Sequence, residues 1–170
     1  MAAPSAPRVP GWWSRTWPAV ALAALSVSMW TSRIRNVLAD DQLSATGTAA
    51  RLALSLSFVV GGLVLAAACV VGWRSRSWRH WAQRGADGWR VGPGLPAWGH
   101  RVAVVLAGWT ALVWTVRGVG ILLDPNHGAG FKAVHTVLMV GSLLVAGAAL
   151  WGVRRSWPVV EPSRRPGMVG

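Results

Sequence analysis

The chain has 170 residues, enough for one domain; 53% are apolar and only 13% are charged, about half the charged share of an average soluble protein. Seventeen Lys and Arg stand against five Asp and Glu, a net charge of +12. Such an excess fits nucleic acid when it lines one face of a soluble domain, but here the charges sit in clusters between long apolar runs, which argues against that class of partner.

A membrane span needs about 20 mostly apolar residues, because the hydrocarbon core is about 30 Å thick and a helix rises about 1.5 Å per residue. The first candidate span, residues 17–39, follows a basic tail, 1–16, carrying Arg8 and Arg15; its clean apolar part ends at Ser32, and Arg33 and Arg35 follow. A signal peptide is the rival reading, with 18–29 as its apolar stretch and Val37-Leu38-Ala39 before Asp40 as a cleavage site. Two arginines ahead of the cut are unusual for such a peptide. The second span, 52–73, carries no charge and contains the lone cysteine, Cys69, which forms no intramolecular disulfide and reads as a small buried apolar residue.

A basic loop, 74–101, comes next. It opens in the stretch Trp73-Arg74-Ser75-Arg76-Ser77-Trp78-Arg79-His80-Trp81 and grows rich in Gly and Pro towards its end. Indoles settle at the membrane interface and guanidinium groups meet lipid phosphates. Arg74, Arg76, Arg79, Trp78 and Trp81 are therefore expected to touch anionic headgroups, or simply to anchor and orient the chain. The third span, 102–123, is interrupted by Arg117; the fourth, 133–153, has only His135 near its start and leads into a basic tail, 154–170. Backbone inside lipid must satisfy its own hydrogen bonds, so continuous apolar runs without alternation predict helices rather than a barrel.

The first and third spans match at an offset of 84: Trp30-Thr31-x-Arg33 meets Trp114-Thr115-x-Arg117, and Asp40 meets Asp124. The second and fourth match at an offset of 80, through Val60, Gly61, Leu63, Ala66, Ala68, Gly72 and Arg74. The predicted fold is all-α, a four-transmembrane-helix bundle built from two tandem helical hairpins as a parallel internal repeat about an axis along the membrane normal. The match to the third span also argues that the first is retained rather than cleaved. With four spans, twelve basic residues fall on the side of the two tails and the central loop, and four on the other. The positive-inside rule then puts both termini in the cytoplasm.

The residues with most chemical interest are Arg33 and Arg117, each seven positions before Asp40 or Asp124 and so on the same helical face as its Asp. Arg117 is expected roughly 10 Å below the outer end of its helix, and an arginine at that depth usually faces the bundle and finds a partner. Together with His135, these residues predict a polar pocket on the outer half that takes an anionic ligand or headgroup. The competing expectation is that each arginine snorkels outward and pairs with an Asp. His127 and His135 are too far apart in sequence for adjacent-turn ligands, and His80 and His100 lie in the opposite loop, so neither a metal nor a haem is expected and no cofactor is assigned. Small residues on the even-numbered spans, Ser57, Gly61, Gly62 and Ala66, and Gly141, Ser142, Ala146 and Gly147, are expected to pack inside the bundle; Gly118 and Gly120 fit the same role or a kink.

The stretch from Trp89 to Asp124, with Leu95-Pro96-x-Trp98, an apolar run and then Val116-Arg117-Gly118-Val119-Gly120, resembles the second half of a family of small four-helix actinobacterial membrane proteins of unknown function. Met29-Trp30 departs from it, being followed by Thr31-Ser32-Arg33 and not by a Gly-rich stretch. The resemblance implies a four-helix bundle and no activity. Three functions stay open: a structural or accessory membrane protein, a small-molecule transporter subunit acting as a homo-oligomer, and a membrane-embedded lipid-modifying enzyme. The expected partners are the bilayer, anionic headgroups on the cytoplasmic side, and a second copy or another membrane protein.

Overall fold

A computed structural model describes the backbone of residues 12–82 and 95–155, and the side chains of 16–75 and 95–154. Four helices account for nearly all of it: α1 (Trp12–Leu38), α2 (Ala45–Ala82), α3 (Ala97–Leu123) and α4 (Ala129–Arg155), with no strand among the described residues. At the connections, local chemistry sets the helix ends. Ser44 precedes α2 and its Oγ accepts the Gly47 N–H at 3.2 Å, satisfying one of the donors that the first turn leaves open. The Asp124–Pro125 pair stops α3, because proline disfavours the helical conformation in the residue before it. Lys132 Nζ then donates to the Leu122 carbonyl at 3.0 Å, meeting an orphan acceptor of the last turn.

Consecutive helices are joined by short connections at 39–44 and 124–128 and pack as hairpins, α1 on α2 and α3 on α4. The hairpins then meet along α1–α4 and α2–α3, so that the helices ring a common core with α1 opposite α3. Leu22, Phe58, Leu65 and Leu106 fill that core, while Val105, Val137 and Leu144 face outward and are more than two-thirds exposed. A soluble bundle would hide such side chains. Close approach depends on glycine at two crossings. A Cβ at Gly62 would stand 3.0 Å from the Ala23 carbonyl oxygen and 2.9 Å from Val27 Cγ2, and one at Gly99 would stand 2.8 Å from Ala68 Cβ.

Three helices are long and apolar enough to cross a membrane: α2 over Ala45–Ser75, α3 over Ala97–Leu123 and α4 over Ala129–Arg154, with mean hydropathies of 2.5, 1.6 and 2.0. α1 falls short of them, its apolar run diluted by Trp17, Pro18, four Ser and Thr, Arg33 and Arg35. The helices also outrun the spans expected within them. α2 begins at 45 rather than 52 and ends at 82 rather than 73, α3 begins at 97 rather than 102, α4 covers 129–155 rather than 133–153, and α1 covers 12–38 rather than 17–39. A helix obeys its breakers, whereas a span obeys the thickness of the hydrocarbon. Consequently helical backbone enters the expected 74–101 loop from both ends, and the Trp- and Arg-rich stretch continues α2.

Small residues contribute unequally to packing. Gly62, Ser142 and Ala146 are buried and Gly61 and Ala66 partly so, but Ser57, Gly141 and Gly147 are exposed, and a Cβ at either of those two glycines would meet nothing within 4 Å. Gly118 is a packing site, since a Cβ there would collide with Met139 Sδ.

Candidate functional site

Near the end that holds the 39–44 and 124–128 connections, α1, α3 and α4 part around a cleft of about 160 Å³. α1 contributes Met29, Trp30, Ser32, Arg33 and Asn36; α3 contributes Val113, Trp114 and Arg117; α4 contributes His135 and Leu138. Each helix brings residues spaced three or four apart, which is how one helical face presents a cluster. Trp30 and Trp114 are buried, Arg33, Arg117 and His135 are partly buried, and Ser32, Asn36 and Leu138 are exposed. The cleft thus opens through the groove between α1 and α4, and α3 forms its floor.

On the α2 side of the core, aromatic rings pack together. Phe58 is fully buried and stacks on Trp30, with ring centroids 4.1 Å apart and planes within 2°. Trp109 closes the stack at 6.2 Å from Phe58 and donates its Nε1–H to Ser57 Oγ at 3.1 Å. On the α4 side His135 belongs to a ladder of rings one helical turn apart. It lies 4.0 Å from Phe131, which lies 4.4 Å from His127. His135 Nδ1 sits 2.9 Å from the Phe131 carbonyl oxygen, so this nitrogen is placed as the proton donor.

The structure brings Arg33, Arg117 and His135 together and leaves Asp40 and Asp124 outside the lining. The expected pairing of each arginine with the aspartate two turns on is not what forms. Asp40 lies 3.8 Å from Arg51, an exposed pair between the ends of α1 and α2, which contributes little to stability. Asp124 turns to its own connection. Its Oδ1 accepts the Asn126 backbone N–H at 2.9 Å and side-chain N–H at 3.0 Å, and its Oδ2 lies 3.0 Å from His127 Nδ1. That contact is close enough for an ion pair but not aligned as a hydrogen bond. The Asn126 backbone N–H, ahead of the other contacts, holds the Asp124 carboxyl below the usual range. Among the described residues neither Arg33 nor Arg117 has an ion-pair partner, and no carboxylate lines the cleft.

Two guanidinium groups on one partly buried cleft can take an oxyanion between them through charge-assisted, bidentate hydrogen bonds. No group of three or more His, Cys, Asp and Glu able to hold a metal occurs among the described residues. No protein-family model, no curated protein and no solved structure matches the chain. The likeness to the actinobacterial family therefore rests on the residues quoted for it.

Of the expected lipid contacts, Arg74 lies exposed on α2, whereas the side chains of Arg76, Trp78, Arg79 and Trp81 lie outside the described residues although their backbone continues the helix. Sequence reasoning passed over Trp30 and Trp114 as cleft walls, yet both stand in the matched Trp-Thr-x-Arg segments, three residues before each arginine. Ser32, Asn36 and Leu138 carry no sequence signal that singles them out.

Proposed function

We propose that the chain is a four-span integral membrane protein, structural or accessory in kind, that binds an anion in a pocket at its outer end. The observation that carries the reading is the pair Arg33 and Arg117 lining one cleft whose wall contains no carboxylate. An arginine within a span is costly, by about 2.5 to 3.5 kcal/mol at the bilayer centre on insertion scales and less near the interface. Two that share a cavity and repel one another need a counter-charge, and an external anion supplies it.

The fourth span is α1. It packs lengthwise against α2 and α4, and a helix lying along apolar spans shares their bilayer, with its backbone bonded internally. Burial supports the duplication. At the sequence offset of 84, Thr16, Ala19, Leu22, Ala23, Ser26, Trp30 and Val37 on α1 are buried, and so are His100, Ala103, Leu106, Ala107, Thr110, Trp114 and Ile121 on α3. The two arginines thus come from equivalent places in two hairpins facing the same way, and meet across the bundle axis. The excess of arginine on the other side of the spans supports both termini in the cytoplasm, with Arg74, Arg76, Arg79, Trp78 and Trp81 at the inner headgroup layer.

Arg117→Leu tests the pocket. In detergent, inorganic phosphate raises the melting temperature of the natural protein and leaves that of the variant unmoved; a variant that keeps the wild-type response removes the pocket. Reporter fusions after Asp41, Gly85, Gly128 and the last residue test the topology. Periplasmic signal is expected at the first and third alone.

A further inference from the structure

We infer that the anion is the phosphate of a negatively charged amphiphile, which enters sideways from the outer leaflet through the groove between α1 and α4; this rests on the pocket reading above. Two observations select the lateral route. One turn outward from the arginines, Val37 on α1 and Ile121 on α3 are buried, 4% and 8% exposed, so apolar side chains plug the bundle axis between the cleft and the outer water. The lip between α1 and α4, by contrast, is made of the exposed residues Ser32, Asn36 and Leu138. A ligand reaching Arg33 and Arg117 by that lip arrives from lipid rather than from water.

The groove continues inward in the way an acyl chain requires. Leu25 and Met29 lie on the same face of α1 as Ser32 and Asn36, and Gly141 and Val145 lie on the same face of α4 as Leu138. Gly141 has open space where a Cβ would stand, which leaves the trough shallow and apolar. The cleft itself measures about 160 Å³. That admits a tetrahedral phosphate and its nearest ester oxygen, and leaves the tails outside. The tetrahedral oxyanion offers enough oxygens for both guanidinium forks at once. A phosphate shielded by a choline ammonium would bring a third cation against two arginines and is rejected.

The experiment follows thermal unfolding of the full chain in dodecyl maltoside micelles containing phosphatidic acid or phosphatidylcholine at equal mole fraction, or with inorganic phosphate in the buffer. Phosphatidic acid is expected to stabilise the protein with an apparent affinity at least about tenfold above that of inorganic phosphate, and phosphatidylcholine is expected to have no effect. Arg33→Leu and Arg117→Leu each abolish the phosphatidic acid response, whereas Arg101→Gln, exposed at the other end of α3, leaves it intact. Leu138→Trp at the lip weakens the response to phosphatidic acid and spares that to inorganic phosphate; Leu138→Phe serves if the larger ring prevents folding. Stabilisation by inorganic phosphate without any by phosphatidic acid overturns the lateral amphiphile and leaves the pocket standing. Silence from both overturns both, and a lipid response unchanged in Arg33→Leu and Arg117→Leu puts the lipid elsewhere and overturns the inference.

Discussion

The α2 and α4 sides of the bundle core end differently. On the α2 side Phe58 is fully buried against Trp30, and Ser55 is fully buried with its hydroxyl donating back to the Arg51 carbonyl at 2.8 Å. On the α4 side the residues at the corresponding offset of 80 are Leu138 and His135, and there the core stands open as the cleft. Phe58, fully buried, fills the space on one side, and Leu138, exposed at the lip, leaves the cleft open on the other. The lesson is that the volume one side chain turns inward can decide on which side of a core a site forms.

The strongest way to break this contrast is to empty the filled side. Phe58→Ala removes the ring beneath Trp30 and is expected to cost about 3 to 5 kcal/mol, read as a shift in the detergent-unfolding midpoint. Phe58→Leu should cost less, because a smaller void is left beside Trp30, read in the same way. The next effect tests the hairpin crossing. Gly62→Val drives a side chain into the Ala23 carbonyl and Val27 and should cost about 1 to 3 kcal/mol. Gly141→Ala, with open space around it, should be neutral or slightly stabilising, because alanine is the better helix former. Equal losses at both positions would mean that the described crossing is not the one that holds the bundle.

Arg117→Leu sharpens the contrast from the open side. It removes an unpaired, partly buried charge and is expected to raise stability in the absence of anion by about 1 kcal/mol, while the anion-dependent gain disappears. A loss of stability instead would assign the arginine to holding the fold. Leu138→Phe, which copies the filled side onto the open one, should change anion-free stability by less than about 1 kcal/mol, shrink the response to phosphatidic acid and spare that to inorganic phosphate. The smallest effect belongs to the connection after α3. Because the fold lowers the Asp124 pKa, its contribution is present above the unfolded carboxylate value of about 3.9 and is lost as pH falls through the lower folded value. Asp124→Asn should therefore be less stable than the natural protein at neutral pH and equal to it in strong acid, as judged by unfolding at both extremes.

Much of the fold was legible in the chain because lipid imposes a simple rule. Apolar runs of the right length must be helices there, and three of the four expected runs are long and apolar enough to cross. Trp30, Arg33, Trp114 and Arg117, which stand in the two Trp-Thr-x-Arg segments, share one cleft. The aspartates do not line it. Spacing puts Asp40 on the face of Arg33, but both aspartates stand at helix ends, where Arg51, Asn126 and His127 are nearer partners than a side chain two turns away. Spacing along a helix reports which face a residue takes; it does not report what a connection folds back to offer.

By itself the sequence determined four helical segments, three of them suited to the bilayer, because long apolar runs in lipid must bond their own backbone. Only the tertiary structure decided that Arg33, Arg117 and His135 line one cleft, on which side it opens, and that neither arginine has an ion-pair partner among the described residues. Those outcomes turn on how Phe58 and Leu138 fill space between helices far apart in the chain. Packing volume across an interface is not written in any single segment.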